Sequence, residues 1–181
     1  DGNLTISNAD YTAAELVNIN NGTTGTITLN TTNTALSGTA SDLVTAFSGT
    51  ITEHTGTVTI TDAPSVAELK AINAGTTGAI TLNVTNGALS GTSSDLALAF
   101  AGTVTEHTGT VAITNADYTV DQLKTINNAS TGAITFSTAG TALSGTSSEL
   151  AIALAGTTNH SGTVTITNAD YTSSELATIN N

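Results

Sequence analysis

The organisation of this chain is set by residues 57–109, TVTITDAPSVAELKAINAGTTGAITLNVTNGALSGTSSDLALAFAGTVTEHTG. The rest of the sequence consists of further copies of this stretch or parts of one. Three histidines show the period directly, because His54, His107 and His160 are spaced 53 residues apart. A fixed period predicts a protein that grows by stacking similar units and has no single central core. We therefore expect one repeat array over residues 1–181, with repeats at about 3–56, 57–109 and 110–162 and a partial repeat at 163–181.

The composition and charge of the chain argue against several classes of partner. The 181 residues carry a formal net charge of −12, and the basic side chains are Lys70 and Lys124. Because phosphate repels a polyanion, we expect no nucleic-acid partner and no binding to anionic membrane surfaces. The sequence has no run of about 18 apolar residues, so no membrane insertion is predicted. Regularly spaced apolar residues make up 38% of the chain, which argues against a disordered acidic tail.

Each period divides into two half-repeats, and each half-repeat runs from a strand through a short loop to a short helix. We name them the first-type and the second-type half-repeat. The second copy of the first type is one residue shorter around Pro64. The copies start at Leu4, Val58, Val111 and Val164 for the first type, and at Thr26, Ile80 and Ile134 for the second.

Hydrophobic spacing predicts the fold of each half-repeat. Around residues 57–61, Val58 and Ile60 alternate with threonines, as in a half-buried β-strand. Further on, Leu96 and Phe100 are spaced at i, i+4, which is typical of a short helix. Strands that alternate with helices imply parallel strands and right-handed crossovers. The predicted fold class is therefore an α/β repeat, a right-handed solenoid of parallel strands with short helices and about two coils per 53-residue repeat.

The number of strands per coil stays open in the sequence. The second-type half-repeat has two segments with strand character, which are 26–30 and 35–38 in its first copy. The Thr-Val-Thr-Glu-His-Thr segment at 103–108 is a candidate for a third strand. The pattern does not decide between these counts.

Every predicted helix starts with the pattern of a capping box, [Ser/Thr]-x-x-[Asp/Glu/Gln]. In this motif the hydroxyl accepts from the backbone N–H three residues on, and the acid or amide accepts from the N–H of the cap. We therefore interpret these side chains as structural. The seven pairs are Thr12 with Glu15, Thr39 with Asp42, Ser65 with Glu68, Thr92 with Asp95, Thr119 with Gln122, Thr146 with Glu149 and Thr172 with Glu175.

The three histidines are the candidates for metal or acid–base chemistry. His54 and His107 follow a glutamate, whereas His160 follows Asn159. Equivalent residues two coils apart would lie about 10 Å from one another, which is too far to share one zinc ion. We therefore expect the histidines to be exposed turn residues, with metal ligation or a contact between molecules as the alternatives.

Asp10, Asp117 and Asp170 recur in Asn-Ala-Asp-Tyr and are candidate calcium ligands. Calcium requires six to eight oxygen ligands, and loops rich in Asp, Asn and Thr could supply some of them. Turn formation by Asx side chains explains the same residues with fewer assumptions. The sequence therefore predicts no cofactor and leaves calcium as a possibility.

Other recurring residues are interpreted as structural. Asn20, Asn73, Asn127 and Asn180 recur at helix ends, and we expect them to form an amide ladder that satisfies turn carbonyls. We assign five aromatic side chains to the core. These are Phe47, Phe100, Tyr11, Tyr118 and Tyr171.

Threonine ranks on the sheet suggest a ligand-binding alternative. Segments such as Thr57/Thr59/Thr61 resemble the flat Thr-x-Thr arrays of antifreeze proteins, although residues such as Ala112 interrupt them. A solvated β-surface is the simpler interpretation. Asn-x-Ser/Thr sequons make glycosylation possible, and a surface glycan is a possible partner.

The sequence contains no pattern that predicts an enzyme. G-x-S-x-G, Walker A, G-x-G-x-x-G and H-E-x-x-H motifs are absent. With two lysines and no arginine, few groups could stabilise an oxyanion or hold a phosphate. We therefore expect a protein without catalytic activity.

Two segments resemble tandem repeats of very long bacterial cell-surface and adhesin-like proteins, in particular those of cyanobacteria. They are GTVTITNADYT, with the EL and INN that follow it, and LSGTSSDLALAFAGTVTEHTG. The resemblance covers the whole chain and implies an extracellular or cell-surface array with a structural or adhesive role. The alternatives are a filament subunit that assembles end to end with copies of itself, and a binding module for calcium, glycan or ice. In each case neighbouring repeats or copies of the chain are the expected partners.

Overall fold

A computed structural model describes residues 2–157 and 159–180 of the chain. In these residues, three-residue strands alternate with short helices. The strands are β1 Leu4–Ile6, β2 Ile27–Leu29, β3 Leu36–Gly38, β4 Val58–Ile60, β5 Ile80–Leu82, β6 Leu89–Gly91, β7 Val111–Ile113, β8 Ile134–Phe136, β9 Leu143–Gly145 and β10 Val164–Ile166. The helices are α1 Ala13–Gly22, α2 Ala40–Ala46, α3 Val66–Ala74, α4 Ser93–Ala99, α5 Val120–Asn128, α6 Ser147–Leu154 and α7 Ser173–Ile179.

The chain divides into two compact units. Residues 1–85 and 101–105 form the first unit, and residues 86–100 and 106–181 form the second. The first unit contains the sheets β1-β2 and β3-β4-β5, and the second contains β6-β7-β8 and β9-β10. The predicted single array over residues 1–181 stays a prediction.

Every described strand pair is parallel, which confirms the predicted α/β class with parallel strands. Val58 of β4 pairs with Leu36 of β3 on one side and with Ile80 of β5 on the other. In the second unit Val111 of β7 pairs in the same way with Leu89 and Ile134. The second-type half-repeat contributes two strands in each copy, and the Thr-Val-Thr-Glu-His-Thr region adds isolated bridges such as His54↔Thr76.

The core lies between the strands and the helices of each unit. In β4, Val58 and Ile60 are fully buried, whereas Thr59 between them is partly exposed. Leu69 and Ile72 of α3 are fully buried as well. Alternate residues of the strand and residues at helical spacing therefore bury their side chains in one shared core. The threonines on either side of this strand, Thr57 and Thr61, are exposed, so all three residues of the predicted Thr57/Thr59/Thr61 rank are accessible to solvent.

The predicted aromatic core is confirmed at four of five positions. Phe47, Phe100, Tyr11 and Tyr118 are buried. Tyr171 is 52% exposed, so its assignment to the core was wrong for the described residues. Tyr118 stacks on Phe136 at a centroid distance of 4.5 Å, and Phe136 lies 18 residues later in the chain.

Glycine allows the backbones of neighbouring turns to lie in direct contact. A Cβ atom at Gly78 would lie 1.8 Å from the carbonyl oxygen of Gly56. The same distance separates a Cβ at Gly132 from the carbonyl oxygen of Gly109. Because the opposing atoms are backbone, no rotamer change could make room for a larger residue at either position.

The described helices have between 7 and 10 residues. None of the helices in the described ranges is long and apolar enough to cross a membrane.

Candidate functional site

Five of the described helices begin with a complete capping box. In α1 the backbone N–H of Thr12 donates to Glu15 at 2.8 Å, and the backbone N–H of Glu15 donates to the Thr12 hydroxyl at 3.2 Å. Hydrogen bonds from the backbone and side chain of Thr146 hold the pKa of Glu149 below its ordinary value of 4.5. The box thus stabilises the ionised carboxylate and the helix start together. The other complete boxes pair Ser65 with Glu68, Thr119 with Gln122, Thr146 with Glu149 and Thr172 with Glu175.

The starts of α2 and α4 use aspartate at the third helical position. The Thr39 hydroxyl accepts from the backbone N–H of Asp42 at 3.2 Å, and Thr92 accepts from Asp95 at 3.1 Å. The complete reciprocal box is not formed in these two helices. Aspartate is one methylene shorter than glutamate, which explains why its carboxylate does not close the box.

A second cap reaches these helices from the following half-repeat. The first backbone N–H of α4, at Ser93, donates to the side-chain oxygen of Asn115 at 2.7 Å. The equivalent bond in α6 joins Ser147 to Asn168, also at 2.7 Å. In α2 the N–H of Ala40 donates to Asp62 at 2.8 Å. Each second-type helix is therefore capped by a residue 21 or 22 positions later in the chain. We call this arrangement the joint.

The asparagine of the joint also donates two hydrogen bonds. The Asn115 amide donates to the Ser93 hydroxyl at 3.0 Å and to the Asp117 carboxylate at 2.5 Å. The Ser93 hydroxyl donates in turn to Gln122, which is the capping-box residue of α5, at 2.8 Å. Ser147, Asn168, Asp170 and Glu175 repeat this network. The joint therefore links the starts of two successive helices.

The one joint with aspartate has matching changes around it. Asp62 is a carboxylate and has no hydrogen to donate, and its neighbour Ala40 has no hydroxyl to accept one. The shorter loop also has no residue equivalent to Asp117, since Pro64 is buried where Tyr118 is buried in the longer loop. Both acceptors that the asparagine amide would need are absent together. Hydrogen-bond chemistry thus explains the variation between copies.

Glu68 closes the capping box of α3 but differs from its counterparts at the joint. The backbone N–H and the hydroxyl of Ser65 donate to the Glu68 carboxylate at 2.9 and 2.7 Å, and the backbone N–H of Glu68 donates to the Ser65 hydroxyl at 3.3 Å. Gln122 and Glu175 each accept a further bond from a serine hydroxyl of the preceding helix. Ala40 occupies that serine position before Glu68 and has no hydroxyl to donate. The seven boxes, which the sequence presents as equivalent, are therefore not equivalent at the joint.

Helix ends are joined by a second set of asparagines. The Asn20 amide donates to the backbone carbonyl of Thr45 at 2.6 Å. Asn73 donates to Ala101 and Asn127 donates to Ile152, each at 2.7 Å. The prediction that these amides satisfy carbonyl groups is confirmed. Each of these three amides bonds to a backbone carbonyl of the next half-repeat, so the repeated contact joins a side chain to the backbone.

His54 and His107 lie in the core, so their assignment to exposed turns was wrong. His54 is 0% exposed and His107 is 2% exposed, whereas Glu53 and Glu106 beside them are exposed. The His54 ring lies 5.7 Å from the ring of Phe47, between centroids. No hydrogen-bond partner is present for either ring nitrogen of His54 or His107.

Burial determines the protonation of these two histidines. Burial lowers the pKa of His54 below its ordinary value of 6.5, and the nearby Thr34 carbonyl opposes this effect. The pKa of His107 is lowered for the same reason, with the Gly87 carbonyl in the opposing role. Both rings are therefore neutral core residues at neutral pH.

The third copy rearranges the aromatic contact of its histidine. Leu154 stands where the earlier copies have Phe47 and Phe100, and Phe136 stands where they have leucine. His160 contacts Phe136 at 5.8 Å between centroids, and its ring nitrogen lies 3.1 Å from the Thr141 carbonyl oxygen. The ring thus keeps an aromatic neighbour, which comes from β8 and not from a helix end.

The candidate calcium residues are bonded to neighbouring asparagine side chains. Asp10, Asp117 and Asp170 each accept a hydrogen bond from the asparagine two residues earlier. The bond from Asn168 is the largest influence that lowers the pKa of Asp170. Within the described ranges, no group of three or more His, Cys, Asp or Glu residues could hold a metal ion. The absence of a cofactor stays a prediction, with calcium as the alternative.

The fold and the joints define an α/β protein built from repeated half-repeats with parallel strands. Comparison with family models, with curated proteins and with solved structures finds no match.

Proposed function

We propose that this chain is a non-catalytic structural or adhesive segment of an extracellular repeat array, folded as a right-handed solenoid with about two coils per repeat. The joint is the observation that carries this proposal. The same side chains link each second-type helix to the half-repeat that follows it, so stabilising contacts run between neighbours along the chain. Nearest-neighbour contacts of this kind are typical of proteins whose stability grows with the number of repeats.

The distribution of charge supports an exposed, solvated surface. Acidic side chains such as Asp10, Glu53 and Asp121 are exposed, while the apolar side chains of β4 and α3 are fully buried. A surface of one charge sign keeps neighbouring arrays apart and soluble. This combination suits a spacer or an adhesive surface outside the cell.

The proposal is tested by the cellular location of the protein and by the shape of its particles. Antibodies raised against the 181-residue chain should label intact cells of the source organism without permeabilisation. The isolated chain should be a monomer in solution, while the native polypeptide should appear as a longer rod by electron microscopy. Labelling that requires permeabilised cells would overturn the extracellular array.

An assembled filament is the second candidate, because each terminal strand has an edge without a described partner. In the described residues, β1 pairs only with β2, and β10 pairs only with β9. A parallel edge without a partner can add another strand. Concentration-dependent growth of rods from the isolated chain would favour the filament over the covalent array.

A further inference from the structure

Four apolar residues on β10 and α7 form a surface whose equivalent is buried in the second and third first-type copies. We call Val164, Ile166, Leu176 and Ile179 the terminal face. The equivalent residues in the second copy, Val58, Ile60, Leu69 and Ile72, are all 0% exposed. Leu176 is 36% exposed, and the other three residues of the terminal face are partly exposed. An open depression of about 770 Å³ lies against this face.

The earlier copies show what covers this surface. In each of them the first-type strand pairs with the first strand of a second-type half-repeat. The pairs are Leu4↔Ile27, Val58↔Ile80 and Val111↔Ile134. No described strand of the first type pairs with another strand of the first type.

The two edges of a first-type strand take different partners. On the opposite edge, β4, β7 and β10 pair with the second strand of a second-type half-repeat, namely β3, β6 and β9. The two edges are therefore not interchangeable. For β10 the edge that faces the second strand is occupied by β9, and the edge that faces the first strand is the one without a described partner.

The backbone next to the terminal face shows the same preference for a second-type half-repeat. Gly56 and Gly109, two residues before β4 and β7, are contacted by Gly78 and Gly132, two residues before β5 and β8. Gly162 is the equivalent residue beside the terminal face. Asn180 likewise stands where Asn127 donates to the carbonyl of Ile152 at the end of the next helix.

We propose that the terminal face is a docking surface for a second-type half-repeat joined to it in the same array, and not for the first-type half-repeat that a second copy would present. This inference rests on the proposed array. The docking strand has the sequence Gly-x-Ile-Thr-Leu/Phe, its isoleucine pairs with Val164, and its glycine passes Gly162 at backbone contact.

The experiment compares the 181-residue chain with three extended chains. The first extension, placed after Asn181, is a copy of residues 129–157. The second is the same copy with Asp at the positions of Ile134 and Phe136. The third is a copy of residues 2–22, which is the half-repeat that a second molecule would bring. Amide hydrogen exchange of residues 163–180 is measured by mass spectrometry, and residues 111–128 serve as the internal reference.

We expect exchange across residues 163–180 to slow at least about tenfold with the first extension only, because it pairs the edge of β10 and covers α7. Unchanged exchange with the first extension would overturn the inference, as would equal slowing with the third. Slowing that depends on the concentration of the unextended chain would instead place a second copy on this face. The cell-labelling result is independent, so a failure here would leave the extracellular location unaffected.

Discussion

The backbone N–H of Ser93 donates to the side-chain oxygen of Asn115 at 2.7 Å, across 22 residues of sequence. Ser93 is fully buried, so both its N–H and its hydroxyl depend on partners within the protein. The bond begins α4 with a residue from the following half-repeat. It therefore couples the formation of a helix to the packing of its neighbour.

The first prediction concerns the substitution Asn115→Asp. The carboxylate would still accept from the Ser93 N–H, but it would lose both donated hydrogen bonds and would face the Asp117 carboxylate. A charge near a helix start offsets part of this loss. We expect a net destabilisation of about 1 kcal/mol, measured by urea unfolding.

The surroundings of Asp62 supply the control for this prediction. In a Ser93→Ala/Asp117→Ala background, which imitates those surroundings, Asn115→Asp should cost much less. Asp62→Asn should change stability by no more than about 0.5 kcal/mol, because the side chain is exposed. An equal cost of Asn115→Asp in both backgrounds would show that the asparagine donors are not the cause.

The second prediction concerns close backbone contact at Gly132. Gly132→Ala places a methyl group against the Gly109 carbonyl and should destabilise the protein by at least about 2 kcal/mol. Gly22→Ala is the matched control, because a Cβ at Gly22 meets nothing within 4 Å. That control should be neutral or stabilising by up to about 1 kcal/mol. Thermal unfolding of the two variants separates steric clash from loss of glycine flexibility.

The third prediction is a loss of stability in mild acid. The folded-state pKa values of His54 and His107 lie below 6.5, so the unfolded chain binds more protons than the folded chain between those values and 6.5. The stabilisation is complete above pH 6.5 and is lost as the pH falls towards the folded-state pKa values. The urea concentration at the unfolding midpoint should therefore decrease as the pH is lowered from 7 to about 5.

Substitution of the histidines distinguishes this effect from that of the carboxylates. Glu149 and Glu175 have pKa values below the ordinary 4.5, so their stabilisation is present above pH 4.5 and is lost at lower pH. In the double variant His54→Phe/His107→Phe, the urea midpoint should therefore hardly change with pH above about pH 5. It should still decrease at lower pH. If the urea midpoint of this variant still decreases between about pH 7 and pH 5, the buried histidines do not cause the decrease.

The fourth prediction concerns calcium. Because Asp10, Asp117 and Asp170 are already bonded to a neighbouring asparagine, we expect millimolar calcium to leave the melting temperature equal to that in magnesium at the same ionic strength. A ligand at about 100 times its dissociation constant would stabilise the fold by about 2.7 kcal/mol. A calcium-specific rise that disappears in Asp117→Asn would establish the binding module.

The local structure of this protein follows from its amino-acid pattern. Alternation at Val58 and Ile60 predicts the strand, the spacing of Leu69 and Ile72 predicts the helix, and Ser65 with Glu68 marks the helix start. These features depend on residues within a few positions of one another, so a single sequence reveals them. The alternation of strands with short helices adds the expectation of parallel strands, because a helix between two strands allows both to run in the same direction.

Strand pairing and helix packing determine which residues meet across the half-repeats. The bond between Ser93 and Asn115, and the burial of His54 against Phe47, join segments that the local pattern treats separately. The strand pairing brings together residues 21 to 24 positions apart, and one shift in register would exchange every contact. Local periodicity carries no information about that register, so the same residues could be assigned to a turn or to the core until the pairing is known.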